Sequence, residues 1–165
     1  KARTTADLDL EWHFIGPLQS NKTRLIAENF AWVHSIERLR IAERLSAQRP
    51  DSLPPLQVCV QVNVSGETSK SGCSPEQALD LCVAVNGLPR LNLRGLMTIP
   101  EAADDFAAQR LPFHRLREIF ATVCAAGLPL DTLSMGMSHD LEAAIAEGAT
   151  IVRIGTAIFG ERNYA

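Results

Sequence analysis

Short apolar runs alternate with longer stretches of helical period along the whole chain. The first run, residues 12–15, closes at Gly16-Pro17, and a helical stretch follows over about 20–30. A second run at 32–36 leads into a helical pattern over about 37–48 and a proline-rich connection over 49–55. Residues 57–64 are rich in β-branched side chains and predict a strand, followed by a polar loop over 65–72. Pro75 opens the next helix at its favoured first-turn position, and the helix runs to about Asn86. Residues 91–98 predict a strand ended by Pro100, and about 105–126 a long helix with Pro112 near its start or at a break. A short strand at 132–135, a helix from Ser138 to Gly148, a last strand at 151–154 and a short element at 155–160 complete the pattern.

The strands are largely apolar and do not alternate cleanly, which suits parallel strands covered on both faces. Strict alternation of strand and helix predicts an α/β protein with six βα units. Two architectures satisfy that count: a doubly wound open sheet, or a (β/α)8 TIM-type barrel of which two units are missing. Without repeats, linkers or low-complexity tracts, residues 1–165 read as one domain.

Composition narrows the function. Apolar residues make up 46% and charged residues 21% of the chain, ordinary values for a globular domain. A net charge of −3 argues against a nucleic-acid partner. The basic residues Arg38, Arg40 and Arg44 are interleaved with Glu37 and Glu43 and read as a solvated helix face. No apolar run approaches the roughly 20 residues that span a bilayer. Cys59, Cys73, Cys82 and Cys124 lack CxxC spacing and read as free thiols of a reducing cytoplasm. The four histidines lack metal-ligand spacing.

In both architectures ligands bind beyond the C-terminal ends of the strands. Two such positions stand out. Ser138 follows Ser134-Met135-Gly136-Met137 where a helix N-cap is expected. Gly155-Thr156 follows the last strand and precedes a short helix. Glycine amides, a hydroxyl and a helix N-terminus suit an anion such as phosphate. Asp140 nearby argues mildly against one. The plain alternative is that Ser138 only caps its helix and Gly155 only makes a turn. Arg153 lies inside the apolar run Ile151-Val152-Arg153-Ile154, where an unpaired charge is costly. It either faces a polar mouth or joins an ion pair. Asn63 at a strand end is a weaker candidate, His13 reads as a core or supporting histidine, and Lys70 as a solvated loop residue. Neither a GxSxG elbow nor a GxGxxG fingerprint is present.

Five segments together resemble the YggS-type pyridoxal-phosphate homeostasis proteins. They are Trp12-His13-Phe14-Ile15-Gly16-Pro17-Leu18-Gln19-Ser20-Asn21-Lys22, Ser69-Lys70-Ser71-Gly72, Arg94-Gly95-Leu96-Met97, Leu133-Ser134-Met135-Gly136-Met137-Ser138, and Val152-Arg153-Ile154-Gly155-Thr156-Ala157-Ile158-Phe159-Gly160. The resemblance covers the chain from Trp12 onward. It implies a barrel like the N-terminal domain of alanine racemase, and pyridoxal 5'-phosphate (PLP) as cofactor. By the same resemblance the phosphate is held by Ser138, Gly155 and Thr156. Arg153 faces the pyridine nitrogen, and Met137 and Asn63 complete the cofactor-binding set. An arginine there keeps the nitrogen unprotonated, which weakens the ring as an electron sink.

The family's Schiff-base lysine lies upstream of the Trp-His-Phe-Ile-Gly-Pro motif. Lys1, Lys22 and Lys70 are the only lysines, and none ends an apolar strand. The first two βα units and that lysine are therefore expected to be missing, with no catalytic residue in the chain. The implied role is a non-catalytic cytoplasmic carrier in vitamin B6 homeostasis, monomeric at full length. Its partners would be PLP and PLP-dependent apo-enzymes, without nucleic acid or membrane. The alternatives are a PLP-dependent amino-acid racemase, which would need an opposing tyrosine where only Tyr164 exists, and a phosphosugar enzyme, for which Glu101 is the only nearby acid.

Overall fold

The computed structural model describes residues 10–67 and 70–160. Lys1, Ser69 and Tyr164 lie outside the described residues. Six strands pair in parallel: β1 (His13–Phe14), β2 (Trp32–Ile36), β3 (Leu56–Gln61), β4 (Leu91–Met97), β5 (Thr132–Met137) and β6 (Ile151–Arg153). Six helices follow them in turn: α1 (Thr23–Asn29), α2 (Leu39–Gln48), α3 (Ala78–Asn86), α4 (Phe106–Ala125), α5 (Leu141–Ala146) and α6 (Thr156–Phe159).

Strand order decides between the two architectures. A doubly wound sheet reverses its order at a switch point. Here the order runs β1 to β6 without reversal, and each helix from α1 to α5 packs on the next. The sheet is also curled. Strands β2 and β5 are three strands apart, about 14 Å in a flat sheet. Yet His34 Nδ1 on β2 lies 2.7 Å from Ser134 Oγ on β5. Only a concave face shared by both side chains allows that contact. The fold is a partial (β/α)8 barrel.

Burial follows from this shape. The large apolar cluster, with Val33, Ile36, Ile41, Leu45, Val58, Val60, Leu96, Phe113, Leu116 and Met135 at its centre, lies between sheet and helices. A second, small cluster of Trp32, Cys59 and Met97 packs apart from it. Helix α2 buries Ile41, Ala42, Leu45 and Ser46 along one stripe. Arg38 and Arg40 are exposed, as a solvated face requires, but Arg44 is half-buried and donates to Ser20 O and Thr23 Oγ1. Glu147, buried at the end of α5, takes Arg110, His114 and Arg117 onto its carboxylate and so fastens α5 to α4.

Two element boundaries differ from the sequence reading, and one open alternative is decided. Helix α4 runs through Pro112 unbroken, so the proline sits early in the helix and not at a break. The lost hydrogen bond is outweighed by packing of Phe113 and Leu116, both fully buried beside it. Strand β3 ends at Gln61, and beyond it the backbone pairs with the returning loop: Gln61 O accepts from Cys73 N–H and Asn63 N–H donates to Cys73 O, each at 2.9 Å. Ser138 does not begin a helix. Strand β5 continues to Met137, Asp140 accepts the Met137 N–H at 2.6 Å, and α5 starts only at Leu141. No helix among the described residues is long and apolar enough to cross a membrane.

Gly95 sits where β4 meets β5, opposite Thr132. A β-carbon there would stand 1.7 Å from the Thr132 carbonyl oxygen. The obstacle is the backbone of a paired strand, so it cannot move aside. G95A is expected to cost about 3 kcal/mol or more, above most overpacking substitutions, or to abolish folding. Urea denaturation followed by circular dichroism measures it, and a loss below about 1 kcal/mol would show that the strands can part.

Candidate functional site

The C-terminal ends of β5 and β6 carry five of the six candidate residues. Met137 pairs in register with Arg153, which sets the two strand ends level. Beyond them the turns at Ser138 and at Gly155-Thr156 meet. The Ala157 N–H donates to Ser138 Oγ at 3.2 Å. That bond leaves the Ser138 hydroxyl proton free to donate outward. The amides of Ser138, Gly155 and Thr156 have no hydrogen-bond partner among the described residues, and the Gly155–Thr156 turn is exposed. The Asp140 carboxylate is engaged by the Met137 N–H rather than left open toward the turn. With only four residues, α6 adds little dipole, so any attraction for an anion comes from the amides and hydroxyls themselves.

Arg153 resolves its two sequence alternatives. Its bonds run to a hydroxyl and a carbonyl, Ser134 Oγ and Thr98 O, each at 2.9 Å, and not to a carboxylate. Burial lowers its pKa to about 10, with Asp140 and Cys59 opposing the shift, so it stays charged at neutral pH. A cation held on two interior acceptors at the strand ends can meet a lone pair on a ligand ring.

Asn63 is not part of this group. It follows β3 and spends both ends of its amide on its own loop, donating to Glu67 O at 2.6 Å and accepting from Gly66 N–H at 3.1 Å. Lys70 borders a small cavity of about 190 Å³ with Gly16, Pro17, Gln61, Ser71 and Ile99. The three buried thiols Cys59, Cys73 and Cys82 are pushed up to about 12, 11 and 12, chiefly by burial, and are inert as nucleophiles. No group of three metal-ligating side chains occurs among the described residues.

Residues 3–163 match the family model described as alanine racemase, N-terminal domain. A pyridoxal phosphate homeostasis protein of Pseudomonas aeruginosa is 65% identical over 164 residues, covering 99% of this chain and 70% of that one. The chain belongs to the pyridoxal phosphate homeostasis proteins, within the alanine racemase N-terminal domain family. The relative of that name from Vibrio cholerae is 60% identical, over 96% of this chain and 67% of its own length. Among solved structures, PipY of Synechococcus elongatus PCC7942, with PLP bound, superposes with a TM-score of 0.86 at 35% identity, covering 96% of this chain and 74% of that one. An alanine racemase of Clostridium difficile, 17% identical with a TM-score of 0.73, shares the fold.

Two residues to which the sequence reading gave no role, His34 outside the motifs and Ser134 within one of them, complete the interior of this homeostasis-family barrel. His34 is fully buried on β2, and Ser134 fully buried on β5. His34 Nε2 lies 2.8 Å from His13 Nδ1, and His13 Nε2 lies 3.0 Å from Glu11 Oε1. His13 stacks on Trp32 with ring centroids 5.2 Å apart, and Arg94 covers Trp32 at 4.9 Å while it pairs with Asp131. The one sequence signal for His34 is a histidine inside an otherwise apolar-to-small strand, which alone does not reveal its partner.

His34 has a pKa lowered to about 4, by burial first, then by His13 and Arg153. Its unfolded value is near 6.5, so the unfolded chain takes up a proton that the folded chain refuses. Stability is therefore full above about pH 6.5 and falls between about 6.5 and 4, by about 3 kcal/mol at most for this group. H34Q should flatten that part of the curve. Equal pH slopes for the two proteins in urea titrations would show that His34 is not the group responsible.

Proposed function

We propose that the chain holds PLP at the β5 and β6 strand ends and serves as a non-catalytic carrier in homeostasis of that cofactor. The reading rests on one observation: the Ser138–Ala157 bond joins two turns whose other amides have no partner among the described residues. A phosphate dianion needs several donors in one place. The Ser138 hydroxyl, the Thr156 hydroxyl and the amides of Ser138, Gly155 and Thr156 supply them. Arg153, at the end of β6 just before this turn, would face the pyridine nitrogen, with Met137 beside it. Asn63 contributes through the shape of its loop rather than by contact.

When bound, PLP supplies an electron-withdrawing ring. A fixed guanidinium opposite the ring nitrogen disfavours a second positive charge there, so the nitrogen stays unprotonated and the ring draws electrons weakly. That favours holding and delivery over turnover. Relatives named for homeostasis and the PLP-bound PipY structure support the same reading. A reducing cytoplasm suits three buried unpaired thiols. Apo-enzymes that require PLP are the partners this role calls for.

Fluorescence titration with PLP tests the site. Each charge-assisted hydrogen bond contributes about 1.5–3 kcal/mol, so S138A and T156A should each weaken binding about tenfold or more. Pyridoxal without its phosphate should bind far more weakly than PLP. Equal affinity for the two, or unchanged affinity in both variants, would place the cofactor elsewhere. Amino-acid racemisation at background level with PLP bound is the expected result for a carrier, and turnover would favour the racemase reading.

A further inference from the structure

We propose that His34 is a positioning residue for Arg153, acting through Ser134 to aim the guanidinium at the cofactor ring; this rests on the PLP reading above. The interior of the barrel holds one continuous line of polar contacts. It runs from Arg153 Nη1 to Ser134 Oγ (2.9 Å), to His34 Nδ1 (2.7 Å), from His34 Nε2 to His13 Nδ1 (2.8 Å), and from His13 Nε2 to Glu11 Oε1 (3.0 Å). It joins β6, β5, β2 and β1, so no single strand could hold it.

The proton directions along this line are not free. An arginine only donates, so Ser134 Oγ must accept from Arg153. The Ser134 hydroxyl proton then goes to His34 Nδ1, which must be the unprotonated nitrogen of a neutral ring. His34 Nε2–H donates to His13 Nδ1, and His13 Nε2–H donates to the Glu11 carboxylate. Every group is satisfied, and every donor points the same way, toward an anion. The reverse direction fails: a neutral His34 with its proton on Nδ1 would leave the Ser134 hydroxyl proton without an acceptor in the line, and His13, then donating from Nδ1, would turn a bare Nε2 toward the Glu11 carboxylate. Burial of His34 excludes water as a substitute partner. Trp32, stacked on His13 and tilted against His34 at 5.6 Å, fixes both ring planes.

The consequence concerns Arg153. A guanidinium on a flexible stem has many orientations, and the cofactor ring is served by one. Thr98 O restrains Nη2, and Ser134 restrains Nη1. Ser134 is a rotor that could turn away; His34 holds its proton and so holds its lone pair toward Arg153. Removing His34 frees the rotor without touching the phosphate turn.

The test is a double-mutant cycle on the complete protein, read by PLP fluorescence titration and by the absorption maximum of bound PLP. R153M should weaken binding about tenfold, H34F about fivefold alone, and H34F less than about twofold in the R153M background. H34Q, whose amide can still accept from Ser134, should recover most of the loss. S134A, a small change, should reproduce the H34F pattern even if H34F folds poorly. Nitrogen-15 spectra of the Arg153 side chain without cofactor should show slowly exchanging Nη signals in the parent and averaged ones in H34F or S134A. Equal losses in both backgrounds, or unchanged Arg153 signals, would overturn the positioning role. A parent protein that does not bind PLP would instead overturn the cofactor reading itself, which the spectra without cofactor distinguish.

Discussion

The hydrogen bond between His34 and Ser134 spans the concave side of the sheet, and the rest of the architecture is arranged around what it requires. Two strands separated by two others can touch only if the sheet curls, and a curled parallel sheet puts all its helices outside. Inside, room remains for few side chains. Those present include one polar line, His13, His34, Ser134 and Arg153, and an aromatic and sulfur-bearing group, Trp32, Cys59 and Met97. A buried polar line is tolerable only when each member is satisfied, and this one is.

The same line explains why an arginine can occupy an apolar strand. Arg153 bonds no carboxylate among the described residues and feels Asp140 only through space. It is held by the dipoles of a serine and a backbone carbonyl, while burial lowers its pKa without removing its charge. The result is a cation fixed in direction and short of neutralisation, adjacent to a turn with open amides. Charge and donors at that corner of the barrel suit a ligand that carries both a phosphate and a ring with a lone pair. The outer layer contributes differently. Glu147 and its three basic neighbours keep α5 seated, and so keep the turn at Ser138 in place.

Much of the fold was legible in the chain. Strand and helix positions followed from runs such as Trp32–Ile36 and the stripe Ile41-Ala42-Leu45 on α2, because burial on one or both faces writes its period into the residues. The turns at Ser138 and Gly155 were legible as strand-end features, and the motifs carried their likeness to a PLP-binding family. The helix start at Ser138 was misplaced because Ser138 and Asp140 are both good capping residues; which one caps depends on how far β5 is held in the sheet by β6. Pro112 left two placements open for a related reason: its local cost is fixed, but the packing of Phe113 and Leu116 that keeps the helix unbroken is not local.

By itself, the sequence determined the α/β class, the count of six units and the identity of the residues at the strand ends, since periodicity and turn chemistry act over a few neighbours. Tertiary structure alone decided that the sheet curls instead of reversing, that Ser138 bonds Ala157 rather than its own helix, and that His34 reaches Arg153 through Ser134. Those outcomes depend on pairs 19 to 100 residues apart. Their contact is set by closure of the strands in space, which no local pattern encodes.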